Sequence, residues 1–438
     1  MERNAMQGLV NWKNKIDKMP LLIEGARQVG KTWLMQEFGK IQYKNTVYVN
    51  FDVNIKARGI FENNIEPQNI INRLEFMFDC KINPCETLLI FDEIQECNRA
   101  LVCLKYFCEQ APQYNIVSAG SLLGVAIRKG NSFPVGKVET LNLYPLTFAE
   151  FLQALGETRY QTGLQADDIS VFNLIEDDLI ARLKLYYFIG GMPKAILSYI
   201  QNQNLKAVRE IQEDILGNYE KDFSKHINSS SIPKVGMIWD SIPIQLAREK
   251  KQWIYKSMKE GARASLYEDA LYWLQKVGLI YKVNRVESIG LPLAAYAKEA
   301  FKLYMLDVGL LSAKSDLTIQ NLSEPNYELF NHFKGALTEQ FVMQELKSLD
   351  IKPKIFYWAN DRKNGIAEVD FVIQNEGEII PIEAKSSINL HAKSLKTYMD
   401  YYSPKAAIRT SLAKYGKNKN LYDIPLYLIG QFQKIIKT

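Results

Sequence analysis

A glycine-rich segment near the start of the chain constrains the fold more than any other feature. Residues 25–32 read Gly-Ala-Arg-Gln-Val-Gly-Lys-Thr and directly follow Leu-Leu-Ile-Glu at residues 21–24. The spacing G-x-x-x-x-G-K-[ST] after an apolar strand is typical of a phosphate-binding loop, in which glycines let the backbone wrap an anion at the start of a helix. The alternative is a glycine-containing turn that fits by chance. The pattern predicts a parallel α/β sheet with a nucleotide site.

The same loop predicts ATP and Mg²⁺ as cofactors. Lys31 is expected to reach the β- and γ-phosphates, and the Thr32 hydroxyl is expected to bind Mg²⁺. The residues predicted to bind the nucleotide are the loop and the residue that follows it: Gly25, Ala26, Arg27, Gln28, Val29, Gly30, Lys31, Thr32 and Trp33.

A second motif, Thr-Leu-Leu-Ile-Phe-Asp-Glu at residues 87–93, supports this interpretation. Apolar residues followed by two acids predict a buried parallel strand that ends at the ligand edge of the sheet. Asp92 is expected to hold Mg²⁺, and Glu93 to polarise the water that attacks the γ-phosphate. The alternative is an ordinary strand with acids at its solvated end. Since a pure switch needs no hydrolytic base, the second acid favours ATP hydrolysis.

Residues 1–150 alternate between strand-like and helix-like segments, as a P-loop ATPase core with a parallel sheet requires. The helix after the loop is predicted over residues 31–38. Ser118 and Ser121 end the fourth predicted strand and are candidates for a γ-phosphate sensor, although serine is also a common helix cap. The candidate strands cover residues 21–24, 46–51, 87–91, 114–119 and 138–143.

Two further segments follow the core. Residues 151–216 are predicted to form a helical lid, with helices over 148–155, 171–187 and 206–216. Residues 217–315 combine helices, predicted over 232–248, 254–258 and 266–276, with a two-stranded ribbon. This combination fits a winged helix-turn-helix, which binds DNA in many proteins and only protein in many others. Its basic residues Lys256, Lys259 and Arg263 suit phosphate contacts, and a solvated helix face explains them equally well.

The last segment, residues 316–438, contains a second constellation of charged residues. Asp370 lies on one predicted strand, and Glu383 and Lys385 share one face of the returning strand. The spacing D-(x)12-E-x-K is the core of the restriction-endonuclease-like nucleases, where carboxylates bind Mg²⁺ and the lysine stabilises charge. Glu339, on an upstream helix, is a candidate for the additional acid. An ordinary charged hairpin and a nuclease-like fold used only for binding are the alternatives.

Taken in order, these motifs resemble a group of prokaryotic AAA-like ATPases, close to the STAND and archaeal-type P-loop ATPases. Members of this group carry a C-terminal domain of unknown function that looks like a restriction endonuclease. The resemblance extends nearly end to end. The matching stretches are residues 25–32, 89–95, 119–123, 143–151, 190–193, 262–267, 301–311, 335–342 and 368–371.

The resemblance implies an ATPase core, a helical lid, a winged-helix segment and a nuclease-like end. It assigns phosphate and Mg²⁺ binding to Lys31 and Thr32, and the metal and water acids to Asp92 and Glu93. Asp370, Glu383 and Lys385 become the nuclease-like triad. Relatives usually have Gly-Arg before the fifth strand, whereas this chain has Gly136-Lys137. A lysine lacks the bidentate fork of an arginine finger, which leaves Arg128 as a candidate or no finger in the chain.

Composition sets weaker limits on location and partners. The first residues lack an apolar signal core, and no apolar run reaches the roughly 18–20 residues of a membrane-spanning helix. We therefore expect a cytoplasmic protein that does not enter a membrane. The net charge of +5 permits a polyanionic partner without requiring one.

Three functions follow from these observations. The first is Mg²⁺-dependent ATP hydrolysis that rearranges the winged-helix and nuclease-like domains, on double-stranded DNA or in a homo-oligomer. The second is a slow nucleotide switch that binds a protein partner. The third is an ATP-gated, metal-dependent DNA nuclease.

Overall fold

The computed structural model describes residues 1–62, 64–121, 133–166, 168–323, 328–362, 365–375, 377–388 and 392–437. The chain divides into two compact units. The first comprises Met1–Tyr144 with Lys276–Gly278, and the second comprises Pro145–Gln275 with Leu279–Thr438. No helix in the described part of the chain is long and apolar enough to cross a membrane.

A parallel sheet forms the centre of the first unit. Its strands are β1 (Leu21–Glu24), β2 (Asn45–Asn50), β3 (Thr87–Asp92), β4 (Asn115–Gly120) and β5 (Glu139–Asn142). They lie in the order β2-β3-β4-β1-β5, and every pair is parallel. This arrangement matches a P-loop nucleoside triphosphatase fold. The strands predicted from the sequence are confirmed within one residue at each end.

Helices and aromatic side chains cover this sheet. Strands β3 and β4 are buried along their whole length, because apolar residues occupy both faces of each strand. Phe51, Phe61 and Phe91 meet edge-to-face in one core, with ring centroids 5.4–5.9 Å apart. The helices are α1 (Ala5–Lys13), α2 (Lys31–Gln42), α3 (Ile55–Arg58), α4 (Pro67–Phe78) and α5 (Asn98–Gln110).

Helices make up the first half of the second unit. The helix predicted over 171–187 is instead a 3₁₀ turn at Ile169–Leu174 followed by a helix, and the segment 254–258 forms only a 3₁₀ turn at Tyr255–Ser257. The helices are α6 (Phe148–Ala154), α7 (Thr158–Leu164), α8 (Glu176–Ile189), α9 (Pro193–Asn202), α10 (Leu205–His226), α11 (Ile232–Leu246) and α12 (Ala264–Lys276).

Local sequence signals explain several of these helix starts. Thr147 accepts a hydrogen bond from the Glu150 backbone N–H, and the Glu150 carboxylate accepts one from Thr147, which is a complete capping box for α6. Pro193 occupies the first turn of α9, where a missing N–H costs nothing. Asn204 caps α10 through two backbone N–H groups.

The second unit also contains a mixed sheet, in the order β12-β13-β11-β10-β9-β8-β6-β7. The antiparallel pair β6–β7, hereafter the ribbon, pairs through β6 with β8 in parallel. The ribbon predicted as part of a winged helix therefore lies in one sheet with the C-terminal strands. The strands are β6 (Ile280–Val286), β7 (Ala297–Met305), β8 (Lys354–Arg362), β9 (Gly365–Asn375), β10 (Glu378–Ala384), β11 (Ala407–Ser411), β12 (Gly416–Asn418) and β13 (Leu421–Pro425).

The remaining helices follow the ribbon in sequence. The Asp307 carboxylate caps the first of them and also accepts a hydrogen bond from the Gly191 N–H at 2.6 Å. Gly190, at φ 75°, has no room for a Cβ because the Asp307 carboxylate lies against it. These helices are α13 (Val308–Lys314), α14 (Ile319–Ser323), α15 (Glu328–Lys347), α16 (Lys393–Tyr402) and α17 (Phe432–Lys437).

Glu345 is a buried acid within α15 that should make stability depend on pH. Its carboxylate accepts a hydrogen bond from the Phe148 N–H at 2.8 Å, and burial, with a smaller contribution from Glu150, raises its pKa from 4.5 to about 8. The folded chain therefore holds a proton that the unfolded chain releases above pH 4.5. The associated stability is complete below that pH and is lost as the pH rises through 8.

We therefore expect the free energy of unfolding to fall by on the order of 2 kcal/mol between pH 6 and pH 9 through this group. Glu345→Gln keeps an oxygen acceptor for Phe148 but carries no charge, so its stability should change less over this range. Urea unfolding at several pH values measures the effect, with Glu299→Gln, at an exposed position, as control. Equal pH dependence in wild type and Glu345→Gln would contradict this interpretation.

Candidate functional site

The predicted phosphate-binding loop connects β1 to α2. Gly25 directly follows β1 at φ 154°, and a Cβ there would collide with the Leu143 carbonyl oxygen. Gly30 adopts φ 97° at the N-cap of α2, a left-handed conformation that glycine tolerates. The loop thus brings the N-terminus of a twelve-residue helix to the edge of the sheet. Free N–H groups at a helix start favour an anion.

Lys31 lies across this loop. Its ammonium donates to the carbonyl oxygens of Gly25 at 2.8 Å and Ala26 at 2.7 Å. Burial lowers its pKa to about 8, although Glu93 and Asp92 act in the opposite direction. A phosphate beside the ammonium would favour its charged form, because opposite charges at short distance stabilise each other.

Asp92 is the central acceptor of the site. Its Oδ2 accepts hydrogen bonds from the hydroxyls of Thr32 at 2.7 Å and Tyr48 at 2.9 Å. Its Oδ1 accepts one from the Glu93 N–H at 3.0 Å. Strands β2 and β3 pair in parallel and end together, which places Tyr48 beside the acid. The structure therefore brings Thr32 and Asp92, the two residues predicted to bind Mg²⁺, together at one edge of the sheet.

Glu93 lies next to Asp92 and has its own partners. Its Oε2 accepts hydrogen bonds from Gln95 at 2.6 Å and from the Ser121 hydroxyl at 3.4 Å. Arg27 donates to the same hydroxyl at 3.2 Å. Of the two serines considered as a phosphate sensor, Ser121 therefore lies beside the acid. The Ser118 hydroxyl is buried in β4 and has no hydrogen-bond partner among the described residues.

The remaining predicted residues of this site have different locations. Trp33 is partly exposed on α2. Lys137, which replaces the expected arginine, pairs with Glu109 of α5 at 2.9 Å. Arg128 lies outside the described residues, so its role as an arginine finger stays a prediction.

Tyr48 and Gln95 were missed by sequence reasoning. Tyr48 precedes the end of β2 by two residues and shares a face with Asn50, whose amide donates to the Tyr48 hydroxyl at 3.3 Å. Burial raises the pKa of Tyr48 to about 12, which keeps the hydroxyl protonated and able to donate. A polar residue at the ligand end of a parallel strand was the available signal.

ATP and Mg²⁺ fit the residues at this edge. A buried ammonium and the N-terminus of α2 suit phosphate groups. A hydroxyl and a carboxylate at hydrogen-bond distance supply hard oxygen ligands of the kind that Mg²⁺ prefers beside phosphates.

The second unit contains a carboxylate cluster, formed by Glu339, Glu368, Asp370 and Glu383 with the lysines 251, 302 and 385. Asp370 on β9 accepts a hydrogen bond from the Ala384 N–H of β10 at 2.9 Å. Lys385 and Glu383 form an ion pair of 2.6 Å. The predicted nuclease-like residues on these strands therefore lie on neighbouring strands of one sheet.

Glu339 of α15 belongs to this cluster because it contacts Lys302 and Tyr304 of the ribbon. It accepts a hydrogen bond from the Tyr304 hydroxyl at 2.8 Å and forms ion pairs with Lys302 at 3.3 Å and with Lys251. Burial alone would raise the pKa of Glu339, but Lys251 and Lys302 lower it to about 2. Burial raises the pKa of Asp370 and of Glu383.

Three members of the cluster, Lys251, Glu368 and Lys302, were not predicted from the sequence, and the most buried of them is Lys302. Its side chain is fully buried, with its ammonium 2.7 Å from Glu368 Oε1 and 3.8 Å from Asp370 Oδ1. A lysine within the apolar run Phe301–Leu306 was the available signal, because a buried charge needs a partner. In the described part of the chain, no three or more His, Cys, Asp or Glu side chains are arranged to hold a metal ion.

Comparison with family models divides the chain into three matched segments. Residues 17–152 match a model described as an AAA domain. The segment contains both the loop and the acid pair. The match supports a P-loop ATPase domain over these residues. Residues 180–321 and 334–429 each match a model described as a domain of unknown function, DUF8612 and DUF4143 respectively.

Solved structures resemble the chain only distantly. A Walker-type ATPase of Pyrococcus abyssi is 15% identical, with a TM-score of 0.45, over 72% of this chain and 95% of its own. The Orc1 protein of Aeropyrum pernix, solved with DNA, is 15% identical, with a TM-score of 0.27, over 72% and 91%. DnaA of Aquifex aeolicus, bound to AMPPCP, is 15% identical, with a TM-score of 0.22, over 62% and 84%. No functional statement follows from similarity this low, and no curated protein matches the chain.

Proposed function

We propose that this chain is a Mg²⁺-dependent ATPase whose nucleotide state alters the second unit, and that it acts on double-stranded DNA. The carrying observation is the hydrogen bond of 2.7 Å between Thr32 of the phosphate-binding loop and Asp92 of the acid pair. The AAA-domain match over residues 17–152 supports ATP binding and hydrolysis independently.

Each residue at this edge has a distinct role in the proposal. Lys31 would exchange its two carbonyl partners for phosphate oxygens, and the N-terminus of α2 would bind the same anion. Thr32 and Asp92 would hold Mg²⁺, which supplies positive charge to the phosphates when bound. Tyr48 would keep the Asp92 carboxylate in a fixed orientation.

Glu93 is the proposed general base. It would accept a proton from the attacking water, and Gln95 and Ser121 fix the direction of its carboxylate. Positioning of this kind contributes to rate because the base must lie within hydrogen-bond reach of the water.

Substitutions at Lys31 and Glu93 test the proposed ATPase. Lys31→Ala should lose both ATP affinity and turnover, because the ammonium compensates phosphate charge. Glu93→Gln should retain ATP binding while phosphate release falls by about 10²- to 10⁴-fold. Lys40→Ala is the matched control, since Lys40 lies exposed on the same helix. Undiminished turnover in Lys31→Ala would exclude hydrolysis at this site.

Tyr48→Phe tests how Asp92 is held. Loss of one hydrogen bond to a charged acceptor should reduce turnover by about tenfold at limiting Mg²⁺, with partial recovery at high Mg²⁺. Phosphate release as a function of Mg²⁺ concentration measures this. Tyr43→Phe serves as control, because the Tyr43 hydroxyl has no hydrogen-bond partner among the described residues. An unchanged Mg²⁺ dependence in Tyr48→Phe would remove this role.

Three exposed basic residues support the proposed action on DNA. Lys256, Lys259 and Arg263 follow one another between α11 and α12, and none forms an ion pair within the described chain. Their free charge is available for phosphate contacts.

Replacing all three with glutamine should weaken binding of a DNA duplex and reduce its salt dependence. If each contacts one phosphate, the slope of log affinity against log salt should fall by about 2–3. Fluorescence anisotropy at several salt concentrations measures it, with Lys393→Gln, Lys396→Gln and Lys405→Gln combined as a charge-matched control. An identical slope for wild type and the first variant would exclude this surface as the DNA contact.

A further inference from the structure

The carboxylate cluster of the second unit has the residues of a nuclease centre together with an additional, fully buried lysine, Lys302. We infer that the buried ammonium of Lys302 takes the place of a divalent cation, so that this cluster is complete without metal and joins the ribbon to the C-terminal strands. This role is separate from the ATP site of the first unit.

The position of Lys302 is the first argument. Its ammonium lies within 2.7–3.8 Å of carboxylate oxygens from Glu339, Glu368 and Asp370. These acids come from two elements, α15 and β9, while the lysine comes from β7. The side chain of Lys302 has no exposed surface. A cation in a nuclease centre would have to contact two of these acids, Glu339 and Asp370, together with Glu383.

The occupied carboxylate oxygens are the second argument. Asp370 Oδ2 accepts the Ala384 N–H, Glu383 Oε1 pairs with Lys385, and Glu339 accepts from Tyr304 as well as from the lysines. Within the described cluster, Glu383 Oε2 is the buried carboxylate oxygen without a hydrogen-bond partner. A divalent cation would have to displace lysine ammonium groups from the neighbouring oxygens, whereas the hydrogen-bond donors at Asp92 in the first unit are neutral.

The charge balance is the third argument. Four carboxylates face three ammonium groups, because Lys251 and Lys385 add to Lys302. A divalent cation would therefore enter a cluster that is already largely neutralised, at a short distance from a buried positive charge. Repulsion between like charges is strong where water is excluded.

The positions of Lys302 and Tyr304 agree with a role in connecting the ribbon to the C-terminal strands. Lys302 and Tyr304 lie on one face of β7, since side chains two residues apart in a strand point the same way. Both contact Glu339 of α15, and Lys302 also contacts β9. The ammonium thus holds together a strand of the ribbon, a helix and a C-terminal strand.

Manganese binding to the full-length chain tests this inference. Mn²⁺ replaces Mg²⁺ at oxygen sites and is detected by electron paramagnetic resonance. The Asp92→Asn variant without nucleotide removes the metal ligand of the first unit. We expect no Mn²⁺ bound by this variant at about 1 mM. The inference would be overturned if the Asp92→Asn variant bound one Mn²⁺ per chain and lost this ion when Asp370→Asn was introduced as a second substitution.

A second variant tests the lysine directly. Lys302→Met, in the Asp92→Asn background, removes the ammonium. The carboxylates that contacted it then become available to bind a metal ion. Its melting temperature should be lower than that of the parent and should rise with Mn²⁺, because a ligand that binds only the folded state stabilises it. Lys282→Met is the control, since Lys282 of the same ribbon contacts the Phe301 ring at 4.5 Å.

Each result has a defined meaning. A folded Lys302→Met variant that does not respond to Mn²⁺ would show that the lysine does not replace a metal. If Lys302→Met does not fold, the inference is decided by whether its Asp92→Asn parent binds Mn²⁺. Loss of ATP hydrolysis bears on the first unit and leaves this inference unchanged.

Discussion

The free-energy cost of removing a charged group from water governs both polar centres of this protein. Each centre contains a buried lysine, and the two lysines have different partners. Lys31 contacts two backbone carbonyl oxygens, and burial lowers its pKa to about 8. Carboxylates surround Lys302, and although burial opposes it, they raise its pKa well above the ordinary value. Carbonyl dipoles compensate an ammonium only in part, whereas carboxylates of opposite charge compensate it fully.

Because of this difference, the centre of the first unit is suited to bind a ligand, whereas the charges in the second unit are already compensated by its own residues. In the first unit, an ammonium with weak partners and a helix N-terminus both favour an anion, and hydroxyl and carboxylate oxygens lie beside them. In the second unit, the positive and negative charges already form ion pairs with one another. Similar residue types, lysine with acids on neighbouring elements, therefore support a chemical role in one unit and a cohesive role in the other.

The first unit was predictable because its motifs are local. The phosphate-binding loop defines where β1 ends and α2 begins, and parallel strands bring Asp92 beside Thr32 without further information. Tyr48 was missed, because a polar residue near a strand end indicates the ligand edge of the sheet but not which strand lies beside β3. In the second unit, Asp370, Glu383 and Lys385 were predicted as a site from spacing, and Glu339 was added as a candidate from an upstream helix. Lys302 was missed, because its partners lie far along the chain and only the folded sheet brings them together.

Three of the stretches that carried the resemblance in the second unit meet in its core. Asp307, from the stretch 301–311, accepts a hydrogen bond from the Gly191 N–H of the turn at 190–193. Gln340, from the stretch 335–342, accepts a hydrogen bond from the Met305 N–H at 2.8 Å and donates one to the Met305 carbonyl oxygen at 2.7 Å. Each of these polar groups is buried and therefore needs its partner, which restricts the residue types at both positions. The need to pair buried polar groups explains these three stretches without nuclease chemistry, whereas the residues at the edge of the first sheet are those to which we assign phosphate and metal binding.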